Sequence, residues 1–359
     1  MREIKLRKVW RFGRDKNKTH LYNFSTTKHY AFDDPSGEIF YIFQEIKTGI
    51  NRDNLFTKYN NKFPDHDKKF ISKFIKILKK IDVLENEKKT DKTNLFSEYL
   101  IGLDRQIEFF REIFPTKNPW LVQKKIKNTN VAILGLGTIA QHIIPSLIAS
   151  GIGNYTCVDF DLVERRNLGR QFLFRRRDIG KLKTNVISSY IKEAKSGIKV
   201  KTVNEELKNE KQIKRIIKNC DLVIHCCDTP RFIIHQMITN ACASLKKPNL
   251  VATPGKLGPL VIPKVTACYG CLEKHMEKKF PGYNQIKEFI KQDKDIRFPG
   301  LAIVVSITGV LAAKEILSYI LKLQPETING MLRISPQDLK IQRIPIPKQI
   351  DCPLCGKNK

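Results

Sequence analysis

The chain has 359 residues, 41% of them hydrophobic and 9% aromatic, which is enough apolar material for two or three packed domains and too much for a disordered chain. Its 65 lysines and arginines against 36 aspartates and glutamates give a net charge of +29, a field that attracts anions of every kind. The excess is spread from Lys5 to Lys359, with only FRRR at 174–177 dense, so it points to solvated lysine faces rather than to a nucleic-acid groove.

The first residues, MREIKLRKVWRFGRD, hold no apolar stretch of the secretory kind, and a cytoplasmic location is expected. Three short aromatic runs, KVWRFG, HLYNF and KHYAF, are separated by polar turns and predict two or three small strands. A short helix follows in DDPSGEIFYIFQEIKTG, with Asp34 and Ser36 as cap candidates and Gly49 at its end. A second lies in HDKKFISKFIKILKKIDVLE, where Phe70, Phe74, Ile77, Leu78 and Ile81 recur at helical spacing opposite a lysine face. Residues 1–85 read as a small winged-helix-like α+β domain, and the charge-rich NEKKTDKTN at 86–94 as a linker to a second domain, 95–359.

Beyond the linker, strand candidates at 131–134, 154–159, 199–203, 221–226 and 249–253 alternate with helix-length segments at 139–150, 180–195, 207–218 and 230–245. This alternation predicts an α/β, Rossmann-like, doubly wound and mainly parallel sheet. The apolar run GLAIVVSITGVLAAKEILSYIL from Gly300 carries Lys314 and Glu315 and reads as a buried helix, so no membrane is expected.

Nine cysteines in a cytoplasmic chain point to metal or chemistry rather than to disulfides. CYGC sets Cys268 and Cys271 three apart, and CPLCG does the same for Cys352 and Cys355. Two such knuckles offer a tetrahedral zinc four thiolates and leave no ligand position for water, so the zinc would be structural and would clip the C-terminal part of the chain to its middle. Cys157, Cys220, Cys226, Cys227 and Cys242 lie in apolar runs and read as small core residues.

VAILGLGTIA, at 131–140, is a strand entering a phosphate-binding helix. Gly135 permits the tight turn and Gly137 lets the backbone approach a phosphate, while Asp159 at the end of the next strand stands where a carboxylate receives ribose hydroxyls. NAD and ATP fit these features equally well. The following stretch, DFDLVERRNLGRQ and then IGKLKT, brings Asp159, Asp161, Asn167, Arg170, Gln171 and Lys183 together in sequence. An arginine and a lysine suit a triphosphate attacked at its α-phosphorus, where charge builds on the departing pyrophosphate. DLVIHCCDTPRF places Asp228 after an apolar strand, where a magnesium ligand would sit.

Taken together, Gly135-Leu-Gly137, Asp159-Phe-Asp161, Asn167-Leu-Gly-Arg170-Gln171, Gly180-Lys-Leu-Lys183, Asp228 and both Cys-x-x-Cys pairs resemble the ubiquitin-activating enzyme superfamily, in the branch with the bacterial ThiF, MoeB and HesA proteins. The resemblance implies an enzyme that turns a carboxylate into an acyl-adenylate. It would place the ribose on Asp159, the phosphates on Asn167, Arg170 and Lys183, and magnesium on Asp228. LDRQIEFF resembles the family's upstream arginine segment, which would make Arg105 a finger entering the partner subunit's site and the enzyme a homodimer. One departure stands out: the family usually has glycine where this chain has Thr138 and Ala140.

Superfamily members that pass the activated carboxyl to sulfur use a cysteine beyond the first zinc knuckle, and residues 272–300 contain none, so no thioester step is expected. The N-terminal block resembles the leader-peptide clamp of enzymes that modify ribosomally made peptides, in which the precursor adds a strand to a sheet edge. The candidate edge lies within 19–33. The layout resembles the peptide-modifying subgroup of the superfamily, implying activation of a glutamate side chain and cyclisation of the pantocin type. The alternatives are AMP transfer to a C-terminal asparagine of the microcin C type, and a tRNA-modifying dehydratase of the same superfamily.

Overall fold

The computed structural model describes residues 3–24, 26–67, 69–85, 102–292 and 301–356; the expected linker at 86–94 lies outside the described residues. The chain divides into two compact units, Met1–Val122 and Gln123–Lys359.

The first unit contains β1 (Glu3–Ile4), β2 (Trp10–Asp15), β3 (Lys18–Asn23), β4 (Lys28–Asp33), α1 (Glu38–Ile46), β5 (Ile50–Asn51), α2 (Arg52–Lys62), α3 (Phe70–Lys80) and α4 (Asp104–Ile113). Strands β2, β3 and β4 form an antiparallel meander, and β1 pairs with β5. Trp10 and Leu21 are buried with Ile42 and Phe43 of α1 and Phe74 of α3, and Phe12 and Phe32 pack against this core. The expected face of α3 shifts: Ile71, Phe74, Ile75 and Leu78 are buried, whereas Ile77 is 48% exposed. The buried set follows the i, i+3, i+4, i+7 spacing, and Ile77 falls outside that stripe. Asp34 caps α1 as expected, but Ser36 does not. The buried Asp34 carboxylate accepts the Ile39 and Phe40 amides at 3.0 Å each and the Thr19 hydroxyl at 2.7 Å.

In the second unit α5 (Pro119–Asn128) leads into β6 (Asn130–Leu134), α6 (Ala140–Ala149), β7 (Asn154–Val158), α7 (Lys183–Ala194), β8 (Lys199–Val203), α8 (Glu210–Ile217), β9 (Leu222–His225), α9 (Ile233–Ser244) and β10 (Asn249–Thr253). Then follow β11 (Lys256–Val261), α10 (Tyr269–Lys279), α11 (Tyr283–Gln292), α12 (Ala302–Ile320), β12 (Gly330–Ile334) and β13 (Ile341–Pro345). One eight-stranded sheet runs in the order β13-β12-β11-β10-β9-β6-β7-β8. Strands β8, β7, β6, β9 and β10 are parallel, and β11 to β13 extend them antiparallel. Every residue of β9 is buried, as a strand covered on both faces requires. The winding reverses between β6 and β9, which opens a crevice at their carboxyl ends.

α12 is the one described helix long and apolar enough to cross a membrane. It packs on α6, where a Cβ on Gly309 would fall 2.6 Å from that of His142. Its Glu315 is fully buried and accepts the Thr327 amide at 2.8 Å and hydroxyl at 2.6 Å, the pairing a charge inside a protein core needs. The helix is buried on one side only, however. Ile303 and Val310 remain 53% and 52% exposed.

His225 closes β9 and its ring stacks on His235 of α9, centroids 5.8 Å apart. Burial pulls both imidazoles below their ordinary value, His235 to about 4. An unfolded histidine titrates near 6.5, so as the pH falls the unfolded chain takes up its proton first. Stability should be full above about pH 6.5 and fall between there and about pH 4, by up to roughly 3 kcal/mol for His235. Urea unfolding midpoints across this range should show that slope reduced in His235→Gln; an unchanged slope would contradict the assignment.

Candidate active site and metal centre

At the end of β6 the chain enters Gly135-Leu136-Gly137. Gly135 has a φ of +92°, and a Cβ there would lie 2.6 Å from the Cys227 nitrogen, because the chain leaving β9 passes directly alongside. Only glycine meets both demands. Gly137 differs: a Cβ would meet nothing within 4 Å, so its missing side chain leaves open space that the protein does not fill. No side chain caps the start of α6, and its N-terminal end is available to an anion.

Asp159 fastens this loop. One carboxylate oxygen accepts the Leu136 amide at 2.7 Å and the other the Asp161 amide at 2.9 Å. Lys183, the first residue of α7, is buried, with its ammonium 2.6 Å from Asp161 and 4.0 Å from Asp159. Burial raises the Asp159 carboxyl, while Lys183 and the two amide donors draw it back. The structure thus brings the Gly135–Gly137 loop, Asp159, Asp161 and Lys183 together.

The other expected residues stand differently. Asn167 is buried and organises the loop: its side-chain oxygen accepts the Glu164 amide at 2.9 Å, and its carbonyl accepts the amides of Arg170 and Gln171 at 3.1 and 2.8 Å. Gln171 is buried with its side-chain oxygen unpaired. Arg170 is exposed and donates to the Arg166 carbonyl at 3.1 Å. Asp228, exposed past the end of β9, accepts the Thr229 hydroxyl at 3.4 Å. Arg105 is exposed on α4, in the first unit. Gln141 was not anticipated. It is buried in the first turn of α6 and its side-chain oxygen accepts the Leu173 amide at 2.7 Å, tying the 167–174 segment to that helix. A glutamine at the head of an apolar helix was the available signal. Cys157, Cys220 and Cys242 are core residues as expected, whereas Cys226 and Cys227 are half-buried against the Gly135 turn.

The Sγ atoms of Cys268, Cys271, Cys352 and Cys355 all lie within 4.8 Å of one another. Cys268 is 3.9 Å from Cys271 and 3.5 Å from Cys352, and Cys271 is 3.4 Å from Cys355. A tetrahedron of sulfurs about 2.3 Å from zinc has edges of about 3.8 Å, so the donor set fits that ion. Gly270 is required here, since a Cβ would fall 2.9 Å from the Cys352 sulfur. The Gln349 amide donates to Cys271 Sγ at 3.4 Å, a polar support for a thiolate.

The family model described as ThiF matches residues 103–354. The chain belongs to the ThiF family. The match runs from the start of α4 to the second cysteine knuckle and so includes every expected site residue from Arg105 onward, up to Cys352. Among curated relatives, the Escherichia coli sulfur carrier protein ThiS adenylyltransferase is 28% identical over 240 residues, covering 65% of this chain and 88% of its own length. The UBA4 adenylyltransferase and sulfurtransferase of Kluyveromyces lactis is 28% identical over 181 residues, and the alignment spans 50% of this chain and 40% of that protein.

The whole chain also has the fold of two solved proteins. Escherichia coli MccB, crystallised with AMPCPP and MccA, aligns with a TM-score of 0.71 at 23% identity, over 99% of this chain and all of that one. PaaA aligns with a TM-score of 0.74 at 17% identity, over 96% of this chain and 100% of that one. For this ThiF-family chain the metal centre predicts one tightly held zinc per chain by metal analysis. Gly270→Ala should speed zinc loss to a chelator, and purified protein free of metal would refute the assignment.

Proposed function

We propose that this ThiF-family chain is an ATP-dependent adenylating enzyme acting on a ribosomally made precursor peptide. The observation that carries the reading is the buried Lys183 ammonium, held by Asp159 and Asp161 beside the open space over Gly137. A nucleotide there would lay its phosphates over the glycine loop and the uncapped start of α6. Lys183 would exchange Asp161 for phosphate oxygen, Asn167 and Arg170 would complete the anion site, and Asp159, Asp161 and Gln171 would hold the nucleoside end. A substrate carboxylate then attacks the α-phosphorus, a carboxyl oxygen–phosphorus bond forms, and pyrophosphate leaves. Magnesium, held by Asp228, would neutralise charge on the leaving pyrophosphate.

With no cysteine in 272–300, the adenylate is taken by nitrogen or another group of the substrate rather than by an enzyme thiol. A glutamate side chain followed by ring closure, the pantocin-type outcome, suits the exposed arginines 165, 166, 170, 176 and 177 around the site. The likeness in fold to MccB, a microcin C7 biosynthetic enzyme, supports a second outcome, AMP transfer to a C-terminal asparagine. Mass analysis separates the two, because one product loses water and the other gains AMP.

Residues 1–85 are the leader clamp in this reading. Within the candidate edge at 19–33, β3 is paired on both sides, so β4 is the strand that offers a free edge. The exposed stripe of α12 supports a homodimer, with Arg105 reaching the partner subunit's nucleotide. The setting is a cytoplasmic one.

The precursor should drive exchange of radiolabelled pyrophosphate into ATP. Asp228→Ala should abolish the exchange, and Arg170→Ala or Lys183→Ala should lower it roughly a hundredfold. Exchange persisting at full rate in Asp228→Ala would remove that residue from the mechanism. Adding the precursor should also slow amide hydrogen exchange in Lys28–Asp33; slowing confined to other strands would refute the clamp edge.

A further inference from the structure

The family match begins at residue 103, yet α4, at 104–113, belongs to the compact unit built from the N-terminal block. Arg7, in the turn between β1 and β2, ties it there through buried ion pairs. Arg7 is only 4% exposed. Its guanidinium donates to the Asp82 carbonyl at 2.9 Å and carboxylate at 3.3 Å, to Glu108 at 3.3 Å and to Glu112 at 2.5 Å. Its own amide is tied to the Val83 carbonyl at 3.0 Å, so the side chain projects from a fixed backbone. Around it, Arg111 pairs with Glu108 at 2.7 Å and Lys28 approaches Glu112 at 4.0 Å.

Glu108 and Glu112 are three and seven residues beyond Arg105, spacings that put all three on one stripe of α4. A guanidinium fork gripping two carboxylates of that stripe sets both the rotation of the helix and its position along its axis. The Glu112 side chain is 4% exposed, so without Arg7 a buried carboxylate would lose its principal partner, and the helix would have to move to hydrate it.

We propose that Arg7 is the positioning residue for Arg105: the N-terminal unit, through this one buried guanidinium, holds the arginine that serves the adenylation site. The inference rests on the reading of Arg105 as a nucleotide-contacting finger. Arg7 itself touches no substrate, and its effect passes through α4.

The test titrates MgATP into the whole 359-residue chain carrying Arg105→Ala, Arg7→Met or both, with hydrogen exchange of residues 104–113 measured in parallel. Each single variant should bind MgATP about tenfold more weakly, the double variant no more weakly than Arg105→Ala, and Arg7→Lys should recover part of the loss. The α4 amides should exchange faster in Arg7→Met and as in wild type in Arg105→Ala. Additive losses, or wild-type affinity in Arg7→Met alongside weakened binding in Arg105→Ala, would overturn the inference and leave the finger standing. Unchanged affinity in Arg105→Ala would overturn the finger, and the inference with it. If Arg7→Met does not fold, Glu112→Gln, which removes the partner charge and keeps its shape, is judged by the same criteria.

Discussion

The buried pairing of Asp159 with Lys183 at the carboxyl edge of the sheet is the constraint on which the candidate site depends. Two charges with less than a tenth of their side-chain surface exposed persist there because Asp159 accepts two backbone amides, Asp161 holds the Lys183 ammonium at 2.6 Å, and the two charges face one another. At 4.0 Å their attraction is about 4 kcal/mol at an effective dielectric of 20, and each amide bond to the carboxylate adds roughly 1.5–3 kcal/mol. Together these are of the size of the burial penalty, so the pair stands without a ligand. The same bonds fasten Leu136 to the end of β7 and hold the glycine loop closed, which keeps the space over Gly137 open.

The rest of the second unit supports that edge. Gly135 lets the backbone leaving β9 pass against the loop, which brings the segment carrying Asp228 alongside the glycines. Gln141 ties the 167–174 segment back onto α6, so the loop bearing Asn167, Arg170 and Gln171 starts and ends on elements already fixed by the sheet. The cysteine cluster joins α10 to the chain beyond β13, two regions about eighty residues apart in sequence. Ile346 and Leu354 pack into the same small apolar cluster, so the sulfurs and the apolar side chains hold these two regions together.

The interior of the parallel part was legible because strands covered on both faces are written as apolar runs, as at 131–134 and 249–253, whereas the edge strand at 199–203, KVKTV, is half exposed and was read from its alternation and from its place after a helix-length segment. The antiparallel extension β11 to β13 was not, since Gly258 and Pro259 interrupt the apolar run of β11 and β13 is largely exposed. Charge chemistry was legible where it is local: Asp159, Asp161 and Lys183 share one stretch of sequence and meet in space. Features that depend on distant partners were hidden. No local pattern marks Cys227 as the neighbour that makes Gly135 obligatory, or Arg7 as the partner of carboxylates about a hundred residues away. Ser36 and Ile77 were misread because capping and burial are decided by the geometry of the turn before α1 and by the exact angle of α3 against the sheet.

The loop's two departures from the usual family pattern carry unequal weight. Ala140 opens α6 and is completely buried, so its methyl group packs into the protein and takes nothing from the ligand's path. Thr138 is half-buried in the turn next to Gly137 and adds a hydroxyl beside amides that no side chain caps. A hydroxyl at the N-terminal end of a helix can donate to the same anion that the helix attracts. In this chain, then, Thr138 offers a hydroxyl next to Gly137, whose missing side chain leaves open space. Gly135 and Asp159 fix the backbone path of the loop, and Thr138 adds a hydroxyl to the surface it presents.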